Sequence, residues 1–254
     1  MLKLSVLKRV IAALSAMAVM GFCLTGCSSQ TEDSESDSGE EAAQTGEILN
    51  FIEPQEGEQI AVMEVKDYGT IKIKLFPDAV PKAVENFVGL ANMNYYDELI
   101  FHRVIKEFMN QGGDPKGNGT GGNSMWGGSF DGGIGEGLYH FSGAVAYANS
   151  GSTSTNGSQF YIVNTPDGYV LGGLESAEDF AEAGYDLPDN VIETYLEKGG
   201  TPYLDGSYTV FGQVFEGMDV VRAIAEVETD ENDKPLTQVV IESVRIVEYT
   251  ANGQ

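Results

Sequence analysis

Phe101-His102-Arg103-Val104-Ile105-Lys106-Glu107-Phe108-Met109-Asn110-Gln111-Gly112-Gly113-Asp114 is the stretch on which the reading of this chain turns. Phe101, Arg103 and Ile105 alternate with His102 and Val104, the period of a β-strand. Lys106-Glu107 interrupts the alternation, a second extended run goes from Phe108 to Gln111, and a glycine pair ends it. By spacing alone this is a β-hairpin with an exposed arginine. It places that arginine, two large apolar side chains and an amide within nine positions.

The order of residue types says more than the spacing. The stretch resembles the active-site segment F-H-R-x-I-x-x-F-M-x-Q-G-G-D of cyclophilins, the peptidyl-prolyl cis/trans isomerases. A second segment strengthens the resemblance: the family's A-N-x-G and N-G-S-Q-F-F-I stand here as Ala148-Asn149-Ser150-Gly151 and Asn156 to Ile162. A third, Tyr203-Leu204-Asp205-Gly206-Ser207-Tyr208-Thr209-Val210-Phe211-Gly212, follows the family's W-L-D-G-x-H-V-V-F-G. The resemblance covers roughly residues 60 to 249, apart from 165–202. It implies a mainly β fold: a closed eight-stranded antiparallel cyclophilin-like barrel capped by two helices, here with a partly helical insertion.

The resemblance also implies roles. Arg103 is the expected catalytic residue, with Gln111 orienting it and positioning the substrate backbone. Phe108, Met109, Tyr161 and Leu204 are expected to grip the proline ring, with Tyr208 at the rim. Ala148, Asn149 and Gln159 are expected to contact the peptide on either side. Tyr161 stands in place of a phenylalanine, Tyr208 in place of a histidine, and Tyr203 in place of a tryptophan associated with cyclosporin binding. His102, by strand alternation, points to the face opposite Arg103 and reads as structural.

Outward from these motifs, Ala61–Lys66 and Thr70–Phe76 read as a hairpin turning at Asp67-Tyr68-Gly69, with Ile71, Ile73 and Leu75 inward and Lys72 and Lys74 outward. Pro81 opens a helix whose Ala83, Val84, Phe87, Val88 and Ala91 share one face. A glycine-rich loop runs to Gly137. It has no G-K-[ST] ending, which argues against a phosphate cradle. Residues 165–202 replace a short connection. Glu175–Ala183 and Pro188–Lys198 read as short helices there, either extending the substrate groove or decorating the surface. Val220–Val227 reads as a second packed helix and Val239–Tyr249 as a last strand.

The N-terminal end reads as a leader. Lys3, Lys8 and Arg9 precede an apolar run from Val10 to Leu24, too short for a comfortable membrane span. Leu24-Thr25-Gly26-Cys27 resembles a bacterial lipobox. The expected organisation is a lipoprotein signal peptide at 1–26, a lipidated Cys27 with an acidic disordered tether through 27–50, and the isomerase domain at 51–254. Ser28 to Gly46 carries six acidic and no basic residues, so it has little apolar surface to bury. Cys23 leaves with the leader and Cys27 takes the lipid, so no disulfide is expected. The expected location is bacterial and extracytoplasmic, on the outer face of a membrane through the lipid.

Loss of Lys3, Lys8 and Arg9 takes the formal charge from −25 to −28. That balance argues against nucleic acid as a partner, because phosphates need facing cations. The two histidines, His102 and His140, and the absence of G-x-S-x-G argue against a serine hydrolase. They also leave no zinc set. Asp230-Glu231-Asn232-Asp233 lacks the spacing of a calcium loop. No cofactor and no metal is expected, since isomerisation breaks no σ-bond. The expected function is peptidyl-prolyl cis/trans isomerisation of X-Pro bonds in exported proteins. The alternative is a proline-peptide binding module or holdase chaperone. A binder needs the pocket but not the donor Arg103, which favours the enzyme. Expected partners are unfolded or partly folded proline-containing polypeptides, and a monomer is expected.

Overall fold

The computed structural model describes residues 45–251. The expected leader, the lipidated Cys27 and the tether up to residue 44 lie outside the described residues. The elements are β1 (Gln59–Val65), β2 (Gly69–Leu75), α1 (Pro81–Asn92), β3 (Arg103–Ile105), β4 (Met109–Gly112), β5 (Ala144–Tyr147), β6 (Phe160–Val163), α2 (Ala177–Glu182), α3 (Asp189–Lys198), β7 (Val210–Glu216), α4 (Met218–Ala225) and β8 (Ile241–Glu248). Short 3-10 turns cover Thr153–Thr155 and Pro202–Leu204.

The eight strands form one antiparallel sheet in the order β3-β4-β6-β5-β7-β2-β1-β8. The expected closed barrel is corrected here: no ladder joins β3 to β8, and the sheet curls into a half-barrel. β3 is only three residues long, too short to pair along β8. The chain just before it partly bridges the gap. Phe101 N–H donates to Val239 O at 3.0 Å, and Ile241 N–H donates to Leu99 O at 2.8 Å.

Alternation explains the interior. Ile71 and Ile73 of β2, and Ala61 and Met63 of β1, are fully buried on the concave side. α1 begins at Pro81, where the missing N–H costs nothing. Its Phe87 lies 5.9 Å edge-on from Phe160 of β6 and 5.0 Å from Phe211 of β7, so it closes one mouth of the sheet. α4 packs against β2, β3 and β4, and Asn110 of β4 donates to its Val221 carbonyl at 2.8 Å. Lys74, expected outward, is 7% exposed. The segment before β1 covers it, and its Nζ finds Glu53 O at 3.1 Å and Glu58 at 3.3 Å.

The insertion carries its own small core. Phe180 of α2 and Val191, Ile192 and Tyr195 of α3 cluster with Phe141 and Val170. Ser176 caps α2 by accepting from Asp179 N–H, and Gly199 ends α3 at a φ of 75°. Residues just before the boundary expected at 51 also make contacts. Gly46 exchanges two hydrogen bonds with Asn190 of α3, each 2.8 Å, and Leu49 N–H donates to Gly137 O at 2.8 Å. The end of the expected tether therefore packs on the domain.

Candidate active site

Three strands build the site by register. Arg103 on β3 stands directly opposite Gln111 on β4, and Gln111 stands opposite Tyr161 on β6. Directly opposed residues share a face, so the three side chains form one row on the convex side. Ile105, Met109 and Val163 form the next row. The residues between them, Val104, Asn110 and Ile162, point into the core. Alternation thus puts different side chains on the two faces of the same strands, and Met109, Tyr161 and Val163 of the first set are themselves buried.

At one end of the row, Gln111 Nε2 donates to Gln159 Oε1 at 2.9 Å. Gln159 Nε2 donates in turn to the carbonyls of Gly121 at 2.7 Å and Gly119 at 3.1 Å. The glycine-rich loop is thereby fastened to the site. Ala148 N–H donates to Gln159 O at 3.0 Å, which sets the end of β5 beside it. Asn149 Nδ2 donates to Ser207 O at 3.0 Å. At the other end, Phe108 lies 6.2 Å ring to ring from Tyr203, within the 3-10 turn that also carries Leu204. Tyr208 meets Tyr161 edge-on at 5.9 Å. Leu204 is buried in the main core, and Tyr208 N–H donates to its carbonyl at 3.3 Å. Neighbouring elements therefore hold every residue expected at the site.

Four further residues were not singled out by sequence reasoning. Asp233 Oδ2 accepts from Arg103 Nε at 3.3 Å and lies 3.3 Å from Nη2. The 230–235 turn is held there because Val104 N–H donates to Asp233 O at 2.8 Å. The Arg103 side chain is 43% exposed. Its Nη1 has no protein partner among the described residues. The hydroxyl of Tyr161, by contrast, is not free at the pocket: it pairs with His140 Nε2 at 3.0 Å. His140 Nδ1 pairs with Asp205 Oδ1 at 2.7 Å, and Asp205 Oδ2 accepts from the Tyr195 hydroxyl at 2.6 Å. Burial pushes the phenols of Tyr161 and Tyr195 well above their usual range, so both stay protonated donors. Burial also raises the phenol of Tyr203.

No local signal marks three of these four. Asp233 lies in an acidic run that resembles an ordinary solvated turn, and its partner is 130 residues away. Asp205 was visible only inside the L-D-G motif. His140 and Tyr195 carry no motif.

Comparison with known proteins agrees with this geometry. The model of the cyclophilin type peptidyl-prolyl cis-trans isomerase family matches residues 60–246. A Staphylococcus aureus protein named for peptidyl-prolyl cis-trans isomerase activity is 44% identical over 196 residues, 77% of this chain and 95% of that one. A Streptococcus pyogenes protein named as a bifunctional phosphatase/peptidyl-prolyl cis-trans isomerase is 45% identical over 183 residues, 71% of this chain and 37% of that longer one. A crystal structure of a Cryptosporidium parvum cyclophilin type isomerase superposes with a TM-score of 0.59 at 30% identity, covering 76% of this chain and 99% of that one. The same protein in the presence of the dipeptide Ala-Pro gives a TM-score of 0.58 at 30% identity, covering 75% and 99%. A sheet, a side-chain row and a family match that coincide along the same residues lead to one assignment: this chain belongs to the cyclophilin-type peptidyl-prolyl cis-trans isomerases.

Proposed function

We propose that the groove along the Arg103–Gln111–Tyr161 row binds X-Pro segments of exported polypeptides, and that Arg103 stabilises the twisted amide. The X-Pro bond resists rotation because amide resonance must be lost, a barrier of about 18–20 kcal/mol. Uncatalysed exchange takes on the order of ten to a hundred seconds. A turnover of about 10 to 1,000 per second needs roughly 3–7 kcal/mol off that barrier. Only contacts stronger in the twisted state than in the planar one supply it. On twisting, the prolyl nitrogen becomes pyramidal and exposes a lone pair. A guanidinium N–H aimed there donates a hydrogen bond that the planar amide hardly accepts.

The observation that carries this reading is the division of labour on Arg103. Asp233 takes Nε and Nη2, which leaves Nη1 without a partner among the described residues, on the row shared with Gln111. Phe108, Met109, Tyr161, Leu204 and Tyr208 supply the apolar wall for the proline ring. Gln111, Ala148, Asn149 and Gln159 supply peptide contacts. The Ala-Pro dipeptide present with the Cryptosporidium parvum relative supports a proline-containing ligand. The lipobox-like Leu24 to Cys27 supports placement outside the cytoplasmic membrane, where newly exported chains wait on their prolines.

NMR exchange in a short X-Pro peptide tests the assignment. The parent accelerates cis/trans exchange and Arg103→Ala lowers it by about a hundred-fold or more, as loss of a transition-state donor predicts, while the peptide still binds. Binding without acceleration by the parent would leave the holdase. Equal rates for parent and variant would remove Arg103 from the chemistry.

A further inference from the structure

The insertion and the proline wall are joined by a buried line of polar groups that no simple packing role requires. Tyr195 comes from α3 of the insertion, Asp205 from the turn after Leu204, His140 from the strand-like approach to β5, and Tyr161 from the side-chain row itself. Tyr195, His140 and Tyr161 are each 4% exposed or less. With the His140 ring neutral, the donor count has one complete solution. Asp205 accepts from Tyr195 O–H, from His140 N–H at 2.9 Å and from His140 Nδ1. Nδ1 therefore carries a hydrogen, which leaves Nε2 as acceptor for Tyr161 O–H. The Tyr161 proton then points away from the groove.

We propose that Tyr195, Asp205 and His140 are positioning residues for Tyr161, so that the insertion holds the proline wall of the isomerase. The inference rests on the isomerase reading of the groove. A phenylalanine in place of Tyr161 would pack with no partners. The hydroxyl instead commits three more side chains, and a buried polar line is stable only when every member is satisfied. The line fixes the tilt of the Tyr161 ring. Tyr208, which meets that ring edge-on, also lies 6.4 Å edge-on from the His140 ring, so both walls of the pocket lean on the same histidine. The anchor at the far end is firm, since the Tyr195 ring lies 4.3 Å from Phe141 and 6.0 Å from Phe180. A role for the 165–202 segment in catalysis follows without any contact between that segment and the substrate.

Exchange measurements on the whole mature chain test this with Tyr195→Phe, Tyr161→Phe and the double variant. Tyr195→Phe lowers kcat/KM about three- to ten-fold, the scale of one lost hydrogen bond in a supporting line. The effect disappears when Tyr161→Phe is already present, because residues acting through one line are not additive. An unchanged kcat/KM, or an equal loss in both backgrounds, would overturn the proposal. ¹⁵N shifts of His140 give a second reading that does not depend on a variant folding. Protonated Nδ1 with bare Nε2 is expected, and the reverse tautomer would overturn the line. Arg103→Ala keeps the two ideas apart: a parent no faster than that variant would sink the catalytic reading, whatever the tyrosines do.

Discussion

In the mechanism we propose, Arg103 faces two demands at once, since it must stay charged to meet a ligand yet be aimed. Asp233 meets the second demand from one side of the guanidinium. The pair is partly exposed, and exposed pairs contribute about 0.2–1 kcal/mol. Asp233→Asn is therefore expected to lower kcat/KM by about two- to five-fold. Raising the salt should narrow the difference between parent and variant, because screening weakens the same pair in the parent. Peptide exchange at low and high salt checks both points. His102, the residue before Arg103, faces inward and is buried, with neither ring nitrogen partnered among the described residues. Burial lowers its pKa; Asp114 opposes the shift, while Arg103 and Lys234 reinforce it. The unfolded chain takes up that proton below about pH 6.5, whereas the folded chain resists it. Stability from this residue is thus present near neutrality and falls as pH drops from about 6.5 toward the lower folded value. Urea midpoints between pH 7 and 5 should decline in the parent, and the decline should flatten in His102→Gln.

At the level of elements, the short strands β3 to β6 owe their pairing to register more than to length. Each carries three or four residues, yet alternation puts Arg103, Gln111 and Tyr161 on one face and Val104, Asn110 and Ile162 on the other. The helices of the insertion depend on a different core from that of the sheet. Phe180 is fully buried there, between the rings of Tyr185 and Tyr195. Phe180→Ala should cost about 3–5 kcal/mol of local stability, the usual loss for a buried phenylalanine. Because the sheet core is separate, amide exchange should quicken across 174–198 while β1, β2 and β7 keep their protection. Uniform loss of protection would mean that the two cores unfold as one.

For the molecule as a whole, charge and anchoring point the same way. A formal charge of −25 repels anionic lipid headgroups, so charge gives a membrane no hold on this chain, and the anchor we propose is the lipid on Cys27. Cys27→Ala is expected to move the chain from the membrane fraction to the soluble fraction, read by fractionation and immunoblot. A variant that stays with the membrane would refute the lipid anchor. The described residues show where an anchored chain would join the domain, since Gly46 and Leu49 are already hydrogen-bonded to α3 and to Gly137.

Local order of residue types determined the family, the strands carrying Arg103 and Gln111, the helix opened by Pro81 and the two helices of the insertion. These depend on period, capping and motif, which act over a few residues. Tertiary structure alone decided the rest. The sheet stays open between β3 and β8 because pairing depends on strand length and curl, which no single strand encodes. Lys74 is buried because the 53–58 segment covers it. Asp233, His140, Asp205 and Tyr195 join the site through partners between ten and 130 residues away in sequence, across folded distances of about 3 Å. Hydrogen bonds of that length depend on where the backbone carries each residue, and the motifs do not encode that placement.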